Sequence, residues 1–305
     1  MGSYVLKRLA QLVPVVFVIT AIVFVLVRLT GDPIGLMLGE EATPEQIERV
    51  TRARGLDRPI LVQYAYFLRD ITAGTMGVSI VFDQEALPLV LERFPATLRL
   101  MVASLAIAII IAVPAGVLAA TRRNSWFDFG ATTFAILGQA MPNYWLGIML
   151  ILLFSVILGW LPVSGIGSPL HLVLPAVTLG TAYAAVLMRL MRSNLLEVLN
   201  QDFVTTARSK GLSGRVVVFK HALRNALIPF VTVLGLQVTY LLSGSIIVEQ
   251  VFAWPGMGRL VIVAVNARDM AVVQAVVLVM ATLVMVTNLM VDFIYALIDP
   301  RIAYS

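Results

Sequence analysis

Apolar positions in this chain gather into six long continuous runs, at about Leu9–Leu29, Leu98–Ala120, Thr133–Leu158, Leu172–Met191, Ile228–Val248 and Val272–Ile298. A helix rises about 1.5 Å per residue and the hydrocarbon core of a bilayer is about 30 Å thick, so each run can span it. The sixth is long enough to do so tilted. Lipid offers the backbone no hydrogen-bond partner, and a helix satisfies its N–H and C=O groups internally. Strands of a membrane barrel read as shorter segments of alternating polarity, which these runs are not. The pattern predicts an all-α polytopic membrane protein with six transmembrane helices.

The polar stretches between the runs give the organisation. Residues 1–30 hold the first transmembrane helix, 31–97 a large loop, and 98–305 a five-helix core that carries a basic loop at 192–228. The first run exceeds the apolar stretch of a signal peptide, and no A-x-A-like site follows it before Thr30, so it is read as a retained span. Lys7 and Arg8 precede the first run, Arg122 and Arg123 follow the second, and Arg301 follows the sixth. Between the fourth and fifth, six cations (Arg192, Arg208, Lys210, Arg215, Lys220, Arg224) face only Glu197 and Asp202. With six spans all of these fall on one side, which the positive-inside rule makes cytoplasmic, together with both termini. The loop 31–97 holds ten acids against six arginines and is read as external. Within it, Thr43 is placed to cap a helix with Pro44 at its first position and Gln46 three residues on, ending at Gly55 before Pro59. The stretch "ILVQYAYFLRDI" has a mixed aromatic and apolar face suited to a membrane surface. Such a loop serves either as a small external cap or as a docking surface.

Composition agrees: 60% of residues are hydrophobic and 13% charged, against about 45–50% and about 25% in soluble domains. The net charge of +5 is therefore read as the basic bias of cytoplasmic loops. There are no cysteines, and His171 and His221 lie far apart, so disulfides and a zinc centre are not expected.

No G-x-x-x-x-G-K-[ST], G-x-S-x-G or H-E-x-x-H occurs. Acids sit at span ends, Glu249 in the fifth and Asp292 in the sixth, and no interrupted inverted repeat is visible. The spans offer neutral polar groups: Gln139, Asn143 and Tyr144 in the third, Gln237, Thr239, Tyr240 and Ser243 in the fifth, Asn288 in the sixth. They read either as hydrogen-bonding glue or as the lining of a polar pathway. Gln237, Tyr240 and Gly244 share one helical face. Ala176, Gly180 and Ala184, spaced by four, permit close helix approach.

The stretch "TTARSKGLSGRVVVFKHALRNALIP" is the one long basic, amphipathic passage. Asp202 is placed to cap a helix over Phe203–Lys210, Arg208 and Lys210 to complement its dipole, and Gly211 to close it in the left-handed conformation. Ser213 is placed to cap a second helix, and Pro229 to open the fifth span. The expectation is a helix–turn–helix elbow that exposes Val204, Thr205, Ala207 and the turn.

Here "DFVTTARSKGL…HALRNALIP" resembles the cytoplasmic loop signature of ATP-binding-cassette importer permeases, in the branch that imports peptides, glutathione and nickel. The Thr205-Thr206-Ala207 opening departs from the broader E-A-A pattern and looks like that branch's variant. "YVLKRLAQLVPVVFVIT", "LTGDP", "GTMGVSI", "RFPATLRL", "QAMPNYWLGIMLILLFSV", "GWLPVSG" and "IIVEQVFAWPGMGRL" resemble further motifs of the branch in order, so the likeness covers essentially the whole chain. It implies the type I ABC importer permease fold in the bacterial inner membrane. It also implies a second permease, two ATPase subunits that bind ATP and magnesium, and an external solute-binding protein. The permease itself is then no enzyme and needs no cofactor. Coupling falls to Val204, Thr205, Thr206, Ala207, Arg208, Lys210 and Gly211. Candidates for the pathway are Gln139, Asn143, Gln237, Tyr240 and Ser243. Candidates for an external gate or docking surface are Phe252, Trp254, Pro255, Gly256, Gly258 and Arg259. Dipeptides and oligopeptides are the default cargo, with glutathione, nickel chelates or another small solute open. A self-sufficient channel or secondary transporter, and a scaffold without a pathway, are the competing classes.

Overall fold

The computed structural model describes residues 13–25, 43–54 and 57–298. Lys7, Arg8, the "LTGDP" stretch, Gly55, Arg301, both termini and the side chain of Asp292 lie outside the described residues. Among the described residues the secondary structure is helical, apart from one isolated bridge between Val78 and Glu85. The helices are α1 (Val13–Val25), α2 (Pro44–Arg54), α3 (Ile60–Thr72), α4 (Ala86–Thr121), α5 (Trp126–Ala140), α6 (Asn143–Ile157), α7 (Pro169–Leu199), α8 (Asp202–Ser209), α9 (Gly214–Val251), α10 (Met257–Asn266) and α11 (Met270–Ile298).

Four of these, α4, α7, α9 and α11, are long and apolar enough to cross a membrane individually. They cover the second, fourth, fifth and sixth predicted runs. The third run, expected as one continuous span, is instead broken: α5 and α6 meet at 106°. Pro142 lacks an N–H and biases the residue before it away from helix. Met141 accordingly adopts φ −76 and ψ 126. Of the first run, only α1 is described.

The chain forms two compact units. The first holds residues up to Ala96 and Gly256–Val286. In it, the aromatic face of α3 turns onto α1 rather than outward: Thr20 Oγ1 lies 2.7 Å from Tyr64 Oη, and the Phe24 ring packs on Tyr64 and Phe67. The start of α4 packs through Ala86, Leu89 and Val90 against Met257, Leu260 and Ala264 of α10 and Val272, Ala275 and Val276 of α11. Asp269, buried, accepts hydrogen bonds from Ser79 Oγ and from the Val272 N–H, and so both ties down the 77–85 turn and caps α11.

The second unit runs from Thr97 to Pro255 and resumes at Thr287. Lipid tails are as apolar as the side chains, so helix association here rests on close van der Waals contact. Small residues supply it. A Cβ on Gly180 of α7 would lie 2.7 Å from the Ser104 carbonyl oxygen of α4, and one on Gly116 of α4 would lie 2.7 Å from Met191 Cβ of α7. Ala176 and Ala184, one turn to either side of Gly180, are buried, as their spacing predicts. α7 also packs against α5, α6 and α9. Large apolar side chains such as Val102 and Ile110 remain outward on α4, as suits a surface that meets acyl chains.

Two polar staples hold this unit. Ser125 Oγ accepts from the Asp128 N–H, and the Asp128 carboxylate accepts from the Asn124 N–H, a reciprocal cap on α5. The same carboxylate takes a two-pronged bond from Arg192 of α7, at 2.6 and 2.8 Å. Elsewhere, Thr97 Oγ1 donates to the fully buried Glu249 at 2.8 Å.

Candidate functional site

The elbow forms as expected in outline and differs in detail. Gln201, not Asp202, occupies the cap position before α8. Asp202 is the first helical residue, where its charge complements the helix dipole. At the other end Lys210 terminates the helix and Gly211 takes φ +77. The Gly211 N–H bonds to the Arg208 carbonyl and the Leu212 N–H to that of Ala207, which is the paired closure of a glycine-capped helix. Ser213 precedes α9 in an extended conformation, and its side chain makes no capping bond among the described residues.

Two expectations at the elbow are corrected. Val204 and Ala207 are not exposed; they are 1% and 8% accessible. Both face α8's own neighbour, Val217 at the start of α9, which is fully buried against them. The small Ala207 side chain thus serves closure of the elbow upon itself. The outward face consists of Phe203, Thr205, Thr206, Arg208, Lys210, Gly211 and Leu212. Nor does Pro229 open the fifth span. It lies inside α9, which runs 38 residues from Gly214, through a π-helical turn at Val217–Ala222, to Val251.

The second group of candidates surrounds the α5–α6 break. Gln139, in the last turn of α5, accepts a hydrogen bond from the Arg189 guanidinium of α7. Asn143 is the first residue of α6. Facing it on α9 is Gly244, where an added Cβ would lie 3.7 Å from Asn143 Nδ2 and 2.8 Å from Tyr183 Oη. Tyr183 Oη donates to the Tyr240 carbonyl at 2.7 Å. Asn143, Tyr183 and the Tyr240–Gly244 turn are therefore brought together, and Gln139 joins Arg189. Tyr240 is 63% exposed, Ser243 exposed and Gln237 half-buried on α9. Thr239 donates to Asn288 of α11 at 3.0 Å, a bond between helices.

The third group divides between the units. In the second unit Phe252 and Trp254 are buried. The Phe252 ring fills the space beside Gly147, its carbonyl accepts from the Gly165 N–H, and the Trp254 N–H bonds to the Glu249 carbonyl. Pro255 is half-buried. In the first unit Gly256 precedes α10 in extended conformation, Gly258 is buried and Arg259 half-buried. The buried Phe252 and Trp254 side chains brace this corner, so they offer no face for docking.

Sequence reading passed over Arg189 and Asp128, and counted Arg192 only as a loop cation. Arg189 is a single cation inside a long apolar run, which hydropathy averages away. Asp128 and Arg192 are 64 residues apart in the chain, so nothing local pairs them; only the Ser125-x-x-Asp128 capping spacing hinted at a role. Among the described residues, no group of three His, Cys, Asp or Glu side chains could hold a metal ion.

An all-helical chain with several membrane-length helices, one of them rising from a glycine-closed basic elbow, has the build of a transport permease. Comparison with known proteins identifies the family. Residues 112–304 match the family described as "Binding-protein-dependent transport system inner membrane component", and residues 1–101 match its N-terminal membrane component family. The chain belongs to this family: it is a multi-pass inner-membrane permease subunit of an ABC importer. It is 44% identical over 306 residues, covering 100% of both chains, to proteins named glutathione transport system permease protein GsiC from Escherichia coli strain K12 and Shigella dysenteriae serotype 1. Among solved structures, an inward-facing form of the MetNI methionine ABC transporter matches with TM-score 0.60 and 21% identity, over 69% of this chain and 96% of that one. An amino acid ABC transporter matches with TM-score 0.53 and 16% identity, over 70% and 94%. These likenesses show the fold.

Proposed function

We propose that this chain pairs with a second permease to form a pathway for small peptides, glutathione among them. Two ATPase subunits on the cytoplasmic face, which bind the ATP and magnesium, drive it, and an external binding protein delivers the cargo. The observation that carries this reading is the elbow: a glycine-closed helix whose outward face is Phe203, Thr206, Arg208 and Lys210, joined through the Gly211 turn to α9. The outward face enters a groove on an ATPase subunit. The inward face, Val204 and Ala207 against Val217, fixes α8 to the foot of α9. Closure of the ATPase pair then moves α9 as a rigid body. Asn143, Gln237, Tyr240 and Ser243 line the route, with Gln139 at the α5–α6 break. Arg259 and Pro255 contribute to the external side. Full-length likeness to glutathione permeases supports a peptide cargo of that size.

The test is reconstitution in vesicles with the second permease, ATPase subunits and binding protein. ATP-dependent accumulation of labelled glutathione, competed by dipeptides if they share the route, is expected. Accumulation that needs neither ATP nor the ATPase subunits would place the chain among self-sufficient transporters instead.

A further inference from the structure

We propose that Arg189 recognises a carboxylate of the cargo, so that the solute passes this permease as an anion-bearing peptide held briefly at the α5–α6 break. The proposal rests on the importer reading above.

α7 carries two arginines one turn apart, and their partners differ. Arg192 is matched by the Asp128 carboxylate, with two short bonds. Arg189 bonds to the neutral Gln139 side-chain oxygen, and among the described residues it makes no ion pair. Yet Arg189 lies within an apolar, membrane-length helix. It stands in the last turn of the fourth apolar run, two residues before Met191, where a cation is tolerated if it reaches the interface or faces the bundle interior or a water-filled route. The place of its partner points the same way. Gln139 is two residues before Met141, where the third span breaks, and Asn143 opens the next segment. Non-helical backbone at membrane depth is tolerated where it is buried in protein or lines a cavity.

The chemistry follows. A guanidinium held by one amide oxygen is oriented but not neutralised. An arriving carboxylate offers two oxygens to the planar fork, a stronger and better-matched partner than the amide. It displaces Gln139, whose amide group is then able to donate to the peptide. When the cargo moves on, Gln139 takes the guanidinium back. A site of this kind binds well enough to admit an anion and weakly enough to release it, which conduction requires. Glutathione carries two carboxylates, and every unmodified peptide carries one.

The experiment uses the full reconstituted transporter with its binding protein, labelled glutathione as cargo, and the variants Arg189→Gln, Arg189→Lys and Gln139→Leu. Three quantities are read: uptake, ATP hydrolysis stimulated by the loaded binding protein, and co-purification of the subunits. Loss of one charge-assisted interaction predicts that Arg189→Gln lowers uptake roughly tenfold to a hundredfold, with stimulated hydrolysis and assembly at wild-type levels. Arg189→Lys keeps the charge but loses the planar fork and retains only part of the uptake, and Gln139→Leu, which removes the amide that takes the guanidinium back, lowers uptake less than Arg189→Gln while assembly stays at the wild-type level. Wild-type uptake by Arg189→Gln overturns the proposal. So does loss of assembly in Gln139→Leu, since the Arg189–Gln139 bond would then be a structural tie; this arm decides even where Arg189→Gln does not assemble. ATP-independent uptake overturns the importer reading and this proposal with it, whereas ATP-dependent uptake insensitive to position 189 removes only the role of Arg189.

Discussion

Gly211 shows how one residue fixes an element. Its φ of +77 is a conformation that side-chain-bearing residues adopt at a cost, and no atom crowds it, so the demand is on the backbone alone. Gly211→Val is expected to destabilise the elbow by on the order of 1 kcal/mol or more. Insertion and pairing with the second permease persist, while stimulation of ATP hydrolysis by loaded binding protein falls. Ala207→Asp acts differently from what its place in the loop signature suggests. The carboxylate would be buried against Val217 without a partner, a cost of a few kcal/mol that falls on the elbow itself. Faster proteolysis around residues 208–213 in purified protein, before any ATPase subunit is added, checks this. Phe203→Ser, on the outward face, leaves that proteolysis unchanged and weakens co-purification of the ATPase subunits. Asp128→Ala strands the Arg192 guanidinium; breaking a buried pair costs about 3–5 kcal/mol, and Arg192 is 28% exposed, so the lower end applies. A drop in melting temperature, largely restored by adding Arg192→Met, is the expected result. Gly211 was legible in the sequence because a glycine closing a short polar helix follows a local rule. The burial of Val204 and Ala207 was not, because it depends on Val217 returning across the turn, a contact set by the path of the chain after Ser213.

At the scale of elements, continuous apolar runs located membrane helices well, because the bilayer imposes length and polarity together. Breaks and joins were less visible. Pro229 read as the opening of a span, yet α9 continues through it, since a helix held on several faces tolerates one missing N–H. Pro142 read as part of a span, yet there the chain turns by 106°. The two prolines differ in what precedes them: Met141 leaves the helical region, whereas the helix before Pro229 is held by buried Ala222 and Ala226. Continuity of α9 matters because Val217, on which α8 packs, belongs to the same helix as the membrane segment. A Gly-Gly insertion between Leu227 and Ile228 weakens helix there by about 2 kcal/mol and softens the connection. Hydrolysis stimulated by binding protein and uptake are both expected to fall, with the subunits still co-purifying. Full uptake by the insertion variant would mean that the elbow and the span move independently, as a span opening at Pro229 would allow.

For the whole molecule, the distribution of charge bears on orientation. The segment 192–228 concentrates six Lys and Arg against two acids, while the long segment 31–97 is net acidic. Cytoplasmic loops retain Lys and Arg because moving them across the membrane during insertion is disfavoured. An ATPase subunit can reach the elbow only from the compartment that holds ATP, so the coupling reading demands the same orientation independently. Both requirements predict Lys210 and Arg224 inside, and Glu45 and Arg259 outside. The chain has no cysteine, so single cysteines introduced at these four positions are unambiguous reporters. Lys210, Arg224 and Glu45 are exposed in the chain and so accept a reagent; Arg259 is half-buried and is expected to label more slowly. In intact cells a membrane-impermeant maleimide is expected to label Glu45→Cys readily and Arg259→Cys partially. It should spare Lys210→Cys and Arg224→Cys until the membrane is opened. External labelling at position 210 would invert the molecule, detach the elbow from any source of ATP, and leave the coupling assignment without a mechanism.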